Sequence, residues 1–258
     1  MKISILGSGS EGNATFVQSG DTRLLIDAGF SCKKIQERLT SIGEDISQIN
    51  ALLVTHEHID HVRGIGVISR KFGIPIYITR ESYMAGLDKL GNIDTDNVKF
   101  IEKEFDINGN MEIHPFDVMH DAARTIGFRI ETLEHKTVSI ATDIGYINNI
   151  IRTYFRDADI AVIESNYDLN MLMECSYPFD LKSRIKSRTG HLSNMDASKL
   201  LRDLYNDRLK KAYLAHISKE SNTYDMAEDS VNAELAKDHI KLATEAVRQD
   251  VPTEIFEI

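Results

Sequence analysis

Cysteine is nearly absent: Cys32 and Cys175 are the only two among 258 residues, far apart and in no paired spacing. That argues against a disulfide framework and against a closed structural zinc site, which usually recruits Cys, and it fits a reducing compartment. Neither thiol has a neighbouring His to make it a nucleophile, so both read as packing residues. No apolar run approaches the roughly 18 to 20 residues that span a bilayer, so no membrane partner is expected. The start Met1-Lys2-Ile3-Ser4-Ile5-Leu6-Gly7 reads as a strand entering a Gly-rich turn, unlike a signal peptide, and a cytoplasmic protein is expected. Linkers rich in Pro, Gly or Ser are missing too. With 42% apolar residues, the chain is expected to form one domain over residues 1–258. Positive charge is also in short supply: a formal net charge of -10 argues against adhesion to nucleic acid by the whole surface, while leaving room for a local basic groove.

What is present is concentrated. His56-Glu57-His58-Ile59-Asp60-His61 carries three imidazoles and two carboxylates straight after the apolar run Ala51-Leu52-Leu53-Val54-Thr55. An ordinary turn uses Gly, Pro, Asn, Asp and Ser instead. His56 and His58 stand two apart, so a tightly turned backbone can aim both at one ion, while Asp60 and His61 can serve a second. Imidazole and carboxylate suit zinc, iron and manganese better than calcium, and two such ions about 3.5 to 4 Å apart form a hydrolytic clamp. The expected cofactors are therefore two divalent ions, zinc or manganese, with iron also compatible.

Around this motif the chain alternates strand-like and helical runs. Strands are expected at 2–6, 14–18, 23–26, 51–55, 74–79, 98–101, 111–116, 125–131, 137–142, 160–164 and 211–216, with a final pair at 240–243 and 254–258. Helices are expected at about 32–42, 61–72, 82–90, 146–155, 169–174, 194–206 and 225–237. This is a layered α/β pattern. Its two halves repeat a rhythm without a short-period repeat.

Three more ligand types fall at strand ends. His120 follows Phe116-Asp117-Val118-Met119, Asp143 closes Val138-Ser139-Ile140-Ala141-Thr142, and His216 closes Lys211-Ala212-Tyr213-Leu214-Ala215. Taken singly, either His reads equally as a hydrogen-bonded core residue and Asp143 as a helix N-cap. Taken in order, HxHxDH, His, Asp and His resemble the metallo-β-lactamase superfamily of dinuclear hydrolases over nearly the whole chain. The resemblance implies a four-layered αβ/βα sandwich with the metals at one edge of two sheets. It also implies that His56, His58 and His120 hold one ion, that Asp60, His61 and His216 hold the other, and that Asp143 bridges them. Asp27, in Leu24-Leu25-Ile26-Asp27-Ala28-Gly29, matches the superfamily's Asp-x-Gly signature and by resemblance buttresses the metal loop through hydrogen bonds. A turn-capping role for Asp27 stands beside that reading.

The bond attacked is indicated by departures between branches. A bridging Asp143 is unlike the β-lactamase branches, whereas glyoxalase II-type thioesterases share all seven ligands. Thr189-Gly190-His191-Leu192-Ser193-Asn194 resembles the Gly-His-x-Ser/Thr motif of phosphodiesterase and nuclease members, in which an extra His contacts the scissile phosphate or protonates the leaving oxygen. His191 is otherwise a helix-start residue with Ser193 or Asn194 as cap. Roughly 70 residues between Asp143 and His216 leave too little room for the inserted domain of β-CASP nucleases. With residues 7–14 and Glu164-Ser165-Asn166-Tyr167-Asp168, the chain looks most like the YycJ/WalJ family, bacterial 5′-to-3′ DNA exonucleases associated with mismatch repair and often encoded beside a two-component system.

That likeness implies duplex DNA with a free 5′ end as partner, and a homo-oligomer is compatible with it. Asp60 is expected to be a ligand first and a base second, with His191 as the second catalytic residue. Lys182, Arg184, Lys186 and Arg188, alternating just before His191, fit either a solvated helix face or contacts to flanking phosphates. Asn13 and Asn166 are further candidates for the rim. Two alternatives remain at this point: a phosphodiesterase for small or cyclic nucleotides, and a noncatalytic regulator. The second conflicts with the intact ligand set.

Overall fold

A computed structural model describes residues 1–258. Its first sheet contains β1 (Lys2–Gly7), β2 (Ala14–Ser19), β3 (Thr22–Ile26), β4 (Ala51–Leu53), β5 (Ile76–Ile78) and β6 (Val98–Phe100) in that spatial order. The second contains β7 (Phe105–Ile107), β8 (Met111–Val118), β9 (Thr125–Thr132), β10 (Thr137–Ala141), β11 (Ile160–Glu164), β12 (Lys211–Ala215) and β13 (Ala243–Ala246). The last strand, β14 (Phe256–Glu257), returns to pair with β1. Both sheets follow one plan. Antiparallel strands lead to β3 or β10, from which three further strands run parallel.

The layering follows from side-chain alternation on strands buried on both faces. Leu24, Ile26, Ala51 and Leu53 face Ile140, Ile160, Val162 and Tyr213 in a core between the sheets. Their neighbours Leu25 and Leu52 point outward onto Ile35, Leu39, Ile65 and Ile68 of covering helices. In the second sheet Ala161, Ile163 and Leu214 do the same against Leu200, Leu201 and Val231. The result is an αβ/βα sandwich with three apolar layers. Each fully buried Leu, Ile or Val contributes about 1.5–3 kcal/mol by removal from water. No helix is long and apolar enough to cross a membrane.

Several boundaries differ from the sequence reading. β4 stops at Leu53 because the Thr55 N–H, which would continue it, donates to the Asp27 carboxylate at 2.8 Å. The helix expected at 61–72 is two, Ile59–Val62 and Ile65–Phe72, broken at Gly64. There the backbone lies so close to Phe30 that an added Cβ would stand 2.4 Å from its carbonyl oxygen. The helix expected from 146 begins at Asn149, where the Asn148 side chain accepts from the Ile151 N–H. β13 lies three residues later than expected, and β7, Phe105-Asp106-Ile107, lies outside the expected strands because three alternating residues are too short a run to mark one.

Candidate metal centre

Parallel strands bring their C-terminal ends to one edge, and ligands gather there as in other open α/β sheets. β3 delivers Asp27, β10 Asp143, β11 Glu164 and β12 His216, while the hexapeptide follows β4. Asp27, Asp143 and His216 all have φ between 55° and 59°, a left-handed conformation that costs a non-glycine residue energy and here turns each side chain sharply at its strand end. Asp27-Ala28-Gly29 and Asp143-Ile144-Gly145 occupy corresponding places in the two halves. Their glycines are needed for close approach: a Cβ on Gly29 would lie 1.6 Å from the Asp60 carbonyl oxygen, and one on Gly145 2.1 Å from that of Arg188.

The seven expected ligands come together. His56, His58 and His120 form one cluster of donor atoms and Asp60, His61 and His216 another, each with its atoms within 4.8 Å of one another. Asp143 stands between them, 3.2 Å from His61 Nε2, 3.5 Å from His216 Nε2 and 3.6 Å from His120 Nε2. His56 Nε2, His216 Nε2 and Asp143 Oδ2 are buried without any hydrogen-bond partner. Three orphaned polar atoms converging on a centre of imidazoles and carboxylates are the pattern divalent ions would satisfy, since an unpaired buried group otherwise costs about 1–3 kcal/mol. The residues present therefore fit two ions.

The outer hydrogen bonds fix which nitrogen faces inward. Asp27 Oδ2 accepts from His61 Nδ1 at 2.7 Å and from the Thr55 hydroxyl at 2.8 Å, while the Gly190 carbonyl accepts from His120 Nδ1 at 3.1 Å. Both rings thereby present Nε2 to the centre. Electrostatics agree with that division. Burial raises the Asp143 pKa, but His216 and His61 outweigh it and hold the carboxyl well below its ordinary range. His56, fully buried beside other imidazoles, is pushed well below an ordinary histidine, first by desolvation and then by His61.

Glu164 is the functional residue that the sequence reading did not single out. It is fully buried and accepts from the Ile144 N–H at 2.7 Å, the Leu192 N–H at 3.0 Å and His191 Nδ1 at 2.7 Å, with His216 Nδ1 at 3.2 Å. A carboxylate ending the otherwise apolar Ile160-Ala161-Val162-Ile163 was the available signal. Burial favours neutral His191, yet Glu164 outweighs it and raises the pKa above that of an ordinary histidine. Glu57, inside the hexapeptide, is a brace instead of a ligand: its carboxylate accepts from the Ala123 N–H at 2.8 Å and ties the metal loop to the loop carrying His120.

The weaker candidates are dispersed. His191 and Arg184 line the cleft over the centre, and Arg184 Nε donates to Asp121 at 2.5 Å. Lys182 and Lys186 reach back to Met173, and the Arg188 guanidinium lies 4.2 Å above the Tyr146 ring. The four side chains thus form no common patch. Asn13 is buried with its amide 3.1 Å from His61 Nε2, and Asn166, which also lines the cleft, donates to the His216 carbonyl at 2.7 Å. Asn166 thus supports its ligand, whereas Asn13 faces the inward nitrogen of His61, which it would yield to a bound ion. Ser193 caps the helix Asn194–Leu204, so the segment after His191 serves the fold as well as the site.

A model of the β-lactamase superfamily domain matches residues 22–217. The exodeoxyribonuclease YycJ of Bacillus anthracis is 36% identical over 234 residues, which cover 90% of this chain and 88% of that relative. The exodeoxyribonuclease WalJ of Streptococcus pneumoniae strain D39 is 36% identical over 242 residues, or 92% of this chain and 88% of the relative. Among solved structures, the metallo-β-lactamase fold protein YhfI of Bacillus subtilis superposes with a TM-score of 0.72 at 16% identity, covering 98% of each chain. That last likeness bears on the fold alone.

Proposed function

The chain belongs to the β-lactamase superfamily and, within it, to the YycJ/WalJ family of exodeoxyribonucleases; given that membership and the seven-ligand centre, we propose that it degrades DNA from a 5′ end as a dinuclear metal-dependent phosphodiesterase. The enzyme is a metal-dependent hydrolase. The observation that carries the choice of bond is His191: it lies outside the seven ligands, lines the same cleft, and is oriented by a buried carboxylate. A third imidazole environment beside two metal clusters suits a charged phosphate and a leaving oxygen better than a neutral amide.

When bound, two divalent ions act as Lewis acids on a phosphodiester and make water nucleophilic near neutral pH. The chain's own residues do the rest. Asp27 and the Gly190 carbonyl hold His61 and His120 in the tautomer that offers Nε2 inward. Asp60, with its side chain partly open to solvent and Oδ2 at 3.5 Å from both His61 Nε2 and His216 Nε2, is placed to take a proton from attacking water. Glu164 keeps His191 protonated at Nδ1, so the other ring nitrogen faces the substrate, where it neutralises phosphate charge or supplies a proton to the departing oxygen. Arg184 is available to a flanking phosphate once Asp121 releases it.

Zinc or manganese fits this ligand set, with iron also compatible. Action on duplex DNA in mismatch repair within the cytoplasm, and assembly as a homo-oligomer, extend the same proposal. The test is degradation of duplexes labelled at the 5′ or the 3′ end, with manganese, zinc and magnesium in turn, by the native protein, His58→Ala and His191→Ala. Release of short 5′-labelled products by native protein, and none by His58→Ala, is expected. Equal degradation by both proteins would sink the metal mechanism, and product release only from the 3′ end would overturn the polarity.

A further inference from the structure

A second groove lies beside the metal cleft, and its charge runs against that of the protein. Lys34, Arg38, Arg63, Lys219 and Arg248 converge on it from separate parts of a chain whose net charge is -10. The acids on its rim, Glu11 and Asp250, are engaged in exposed ion pairs with Lys219 at 2.6 Å and Arg248 at 3.4 Å. Pairs this exposed are worth little and yield readily to a competing anion. Arg63 is exposed and makes no ion pair or side-chain hydrogen bond.

Arg38 gives the groove a fixed positive floor. It is only 5% exposed, donates to the Leu6 and Gln249 carbonyls at 2.7 and 2.9 Å, and lies 3.8 Å above the Phe30 ring. No carboxylate lies within ion-pair distance of it, although Asp250 and Glu37 act on it from further away, and its Nε is buried without a partner. A desolvated guanidinium held by carbonyls and a ring, with its nearest carboxylates beyond ion-pair distance, still favours the approach of an anion.

The groove and the metal cleft share two loops. Ser10 and Ser218 line the cleft, while their sequence neighbours Glu11 and Lys219 line the groove. Arg63 joins them, two residues beyond His61. A polyanion with evenly spaced phosphates that entered the cleft would pass over this sill. Half-exposed Tyr224, with the Arg248 guanidinium 5.3 Å over its ring, adds an aromatic side chain to the cations, the combination used by grooves that track single strands.

We propose that this groove is a second, noncatalytic phosphate-binding site, which holds the sugar-phosphate backbone of the DNA on one side of the scissile bond. It rests on the nuclease reading above and adds where the strand runs. The groove accounts for how an acidic protein can hold a polyanion: cations that the whole surface lacks are gathered along one path.

The test pairs Lys34→Glu/Arg248→Glu with a control of equal charge change, Lys103→Glu/Lys199→Glu, whose exposed side chains lie outside the groove. Binding of a fluorescein-labelled DNA strand is followed by anisotropy in calcium over a range of salt, nuclease KM is measured, and bis(p-nitrophenyl) phosphate hydrolysis reports whether each metal centre is intact. The groove pair is expected to bind DNA at least about tenfold more weakly, to lower the slope of log affinity against log salt by about one to two, and to raise KM. The control pair is expected to track the native protein. Unchanged binding by the groove pair, or equal losses in both pairs, overturns the groove alone. A native protein that hydrolyses the small diester but neither binds nor degrades DNA overturns the nuclease reading and the groove with it.

Discussion

Replacing Glu164 by Gln changes one atom of a buried side chain and tests how the centre is held. The carboxylate serves two backbone N–H groups through Oε2 and two imidazole nitrogens through Oε1. Glutamine has a single acceptor oxygen. If that oxygen faces Ile144 and Leu192, its NH₂ meets His191 Nδ1, which must then shed its proton there, and faces His216 Nδ1 alongside the Asn166 amide already 3.1 Å from it, leaving that nitrogen no acceptor. His216 would carry its proton on Nε2, the atom directed at Asp60 and Asp143. If the oxygen faces the imidazoles instead, two buried N–H groups lose their acceptor at about 1–3 kcal/mol each. Either orientation is costly, and a loss of about 3 kcal/mol in stability is expected, with metal affinity lower by about 10- to 100-fold.

Urea denaturation and competition with a chromophoric chelator measure the two losses. The sign of the pH dependence follows from the wild-type carboxyl: burial raises its pKa, but His191 and His216 hold it below an ordinary glutamate. A depressed pKa contributes stability at neutral pH and loses it as pH falls through the folded value. The deficit of Glu164→Gln should therefore shrink on acidification. A variant with native stability and native metal affinity would refute the role assigned to Glu164.

Gly29→Ala should displace the metal loop, since its Cβ has no space against Asp60, with overpacking of about 1–3 kcal/mol and reduced metal content by elemental analysis. Full native occupancy would contradict that contact. Metal uptake should expel protons: burial lowers the pKa of His61 and His216, but Asp143 outweighs it with Asp27 and Asp60 respectively, leaving both well above an ordinary histidine. Affinity should thus rise with pH through and beyond the usual histidine range, and calorimetric heats should depend on buffer ionisation; buffer-independent heats would refute it. Asp159, which accepts from the Thr137 N–H and Arg208, both at 2.8 Å, is held below an ordinary aspartate although burial opposes this. Asp159→Asn should cost about 1–3 kcal/mol at neutral pH and flatten the acid limb of the stability curve, because the native contribution disappears as pH falls through the folded pKa.

The hexapeptide was legible because its ligand types are contiguous and follow an apolar run. His120, Asp143 and His216 were legible for a related reason: each follows a strand-like run, and open α/β sheets place their sites at such ends. Asp27 and His191 needed a family pattern, since one acid before Gly-x or one His before a cap is ambiguous alone. Alternation also exposed the layers, as Leu24-Leu25-Ile26 and Ile160-Ala161-Val162-Ile163 contribute to two cores at once.

By itself, then, the sequence marked the candidate metal ligands and a layered α/β alternation, because ligand types at strand ends and side-chain periodicity are local features, while the sandwich came from the family resemblance. Tertiary structure decided the supports other than Asp27. Glu164 matters only because β10, β11 and β12 run parallel and bring Ile144 and His216 to its two oxygens, with His191 carried in by the loop before the helix Asn194–Leu204. Asn13 and Asn166, expected at the rim, are turned toward His61 and His216. The run Lys182 to Arg188 attracts attention as alternating positive charge, yet Lys182 and Lys186 turn to Met173, Arg184 to Asp121 and Arg188 to Tyr146. The groove built from Lys34, Arg38, Arg63, Lys219 and Arg248 has no linear signature, since electrostatic potential depends on distance in space and not on separation along the chain.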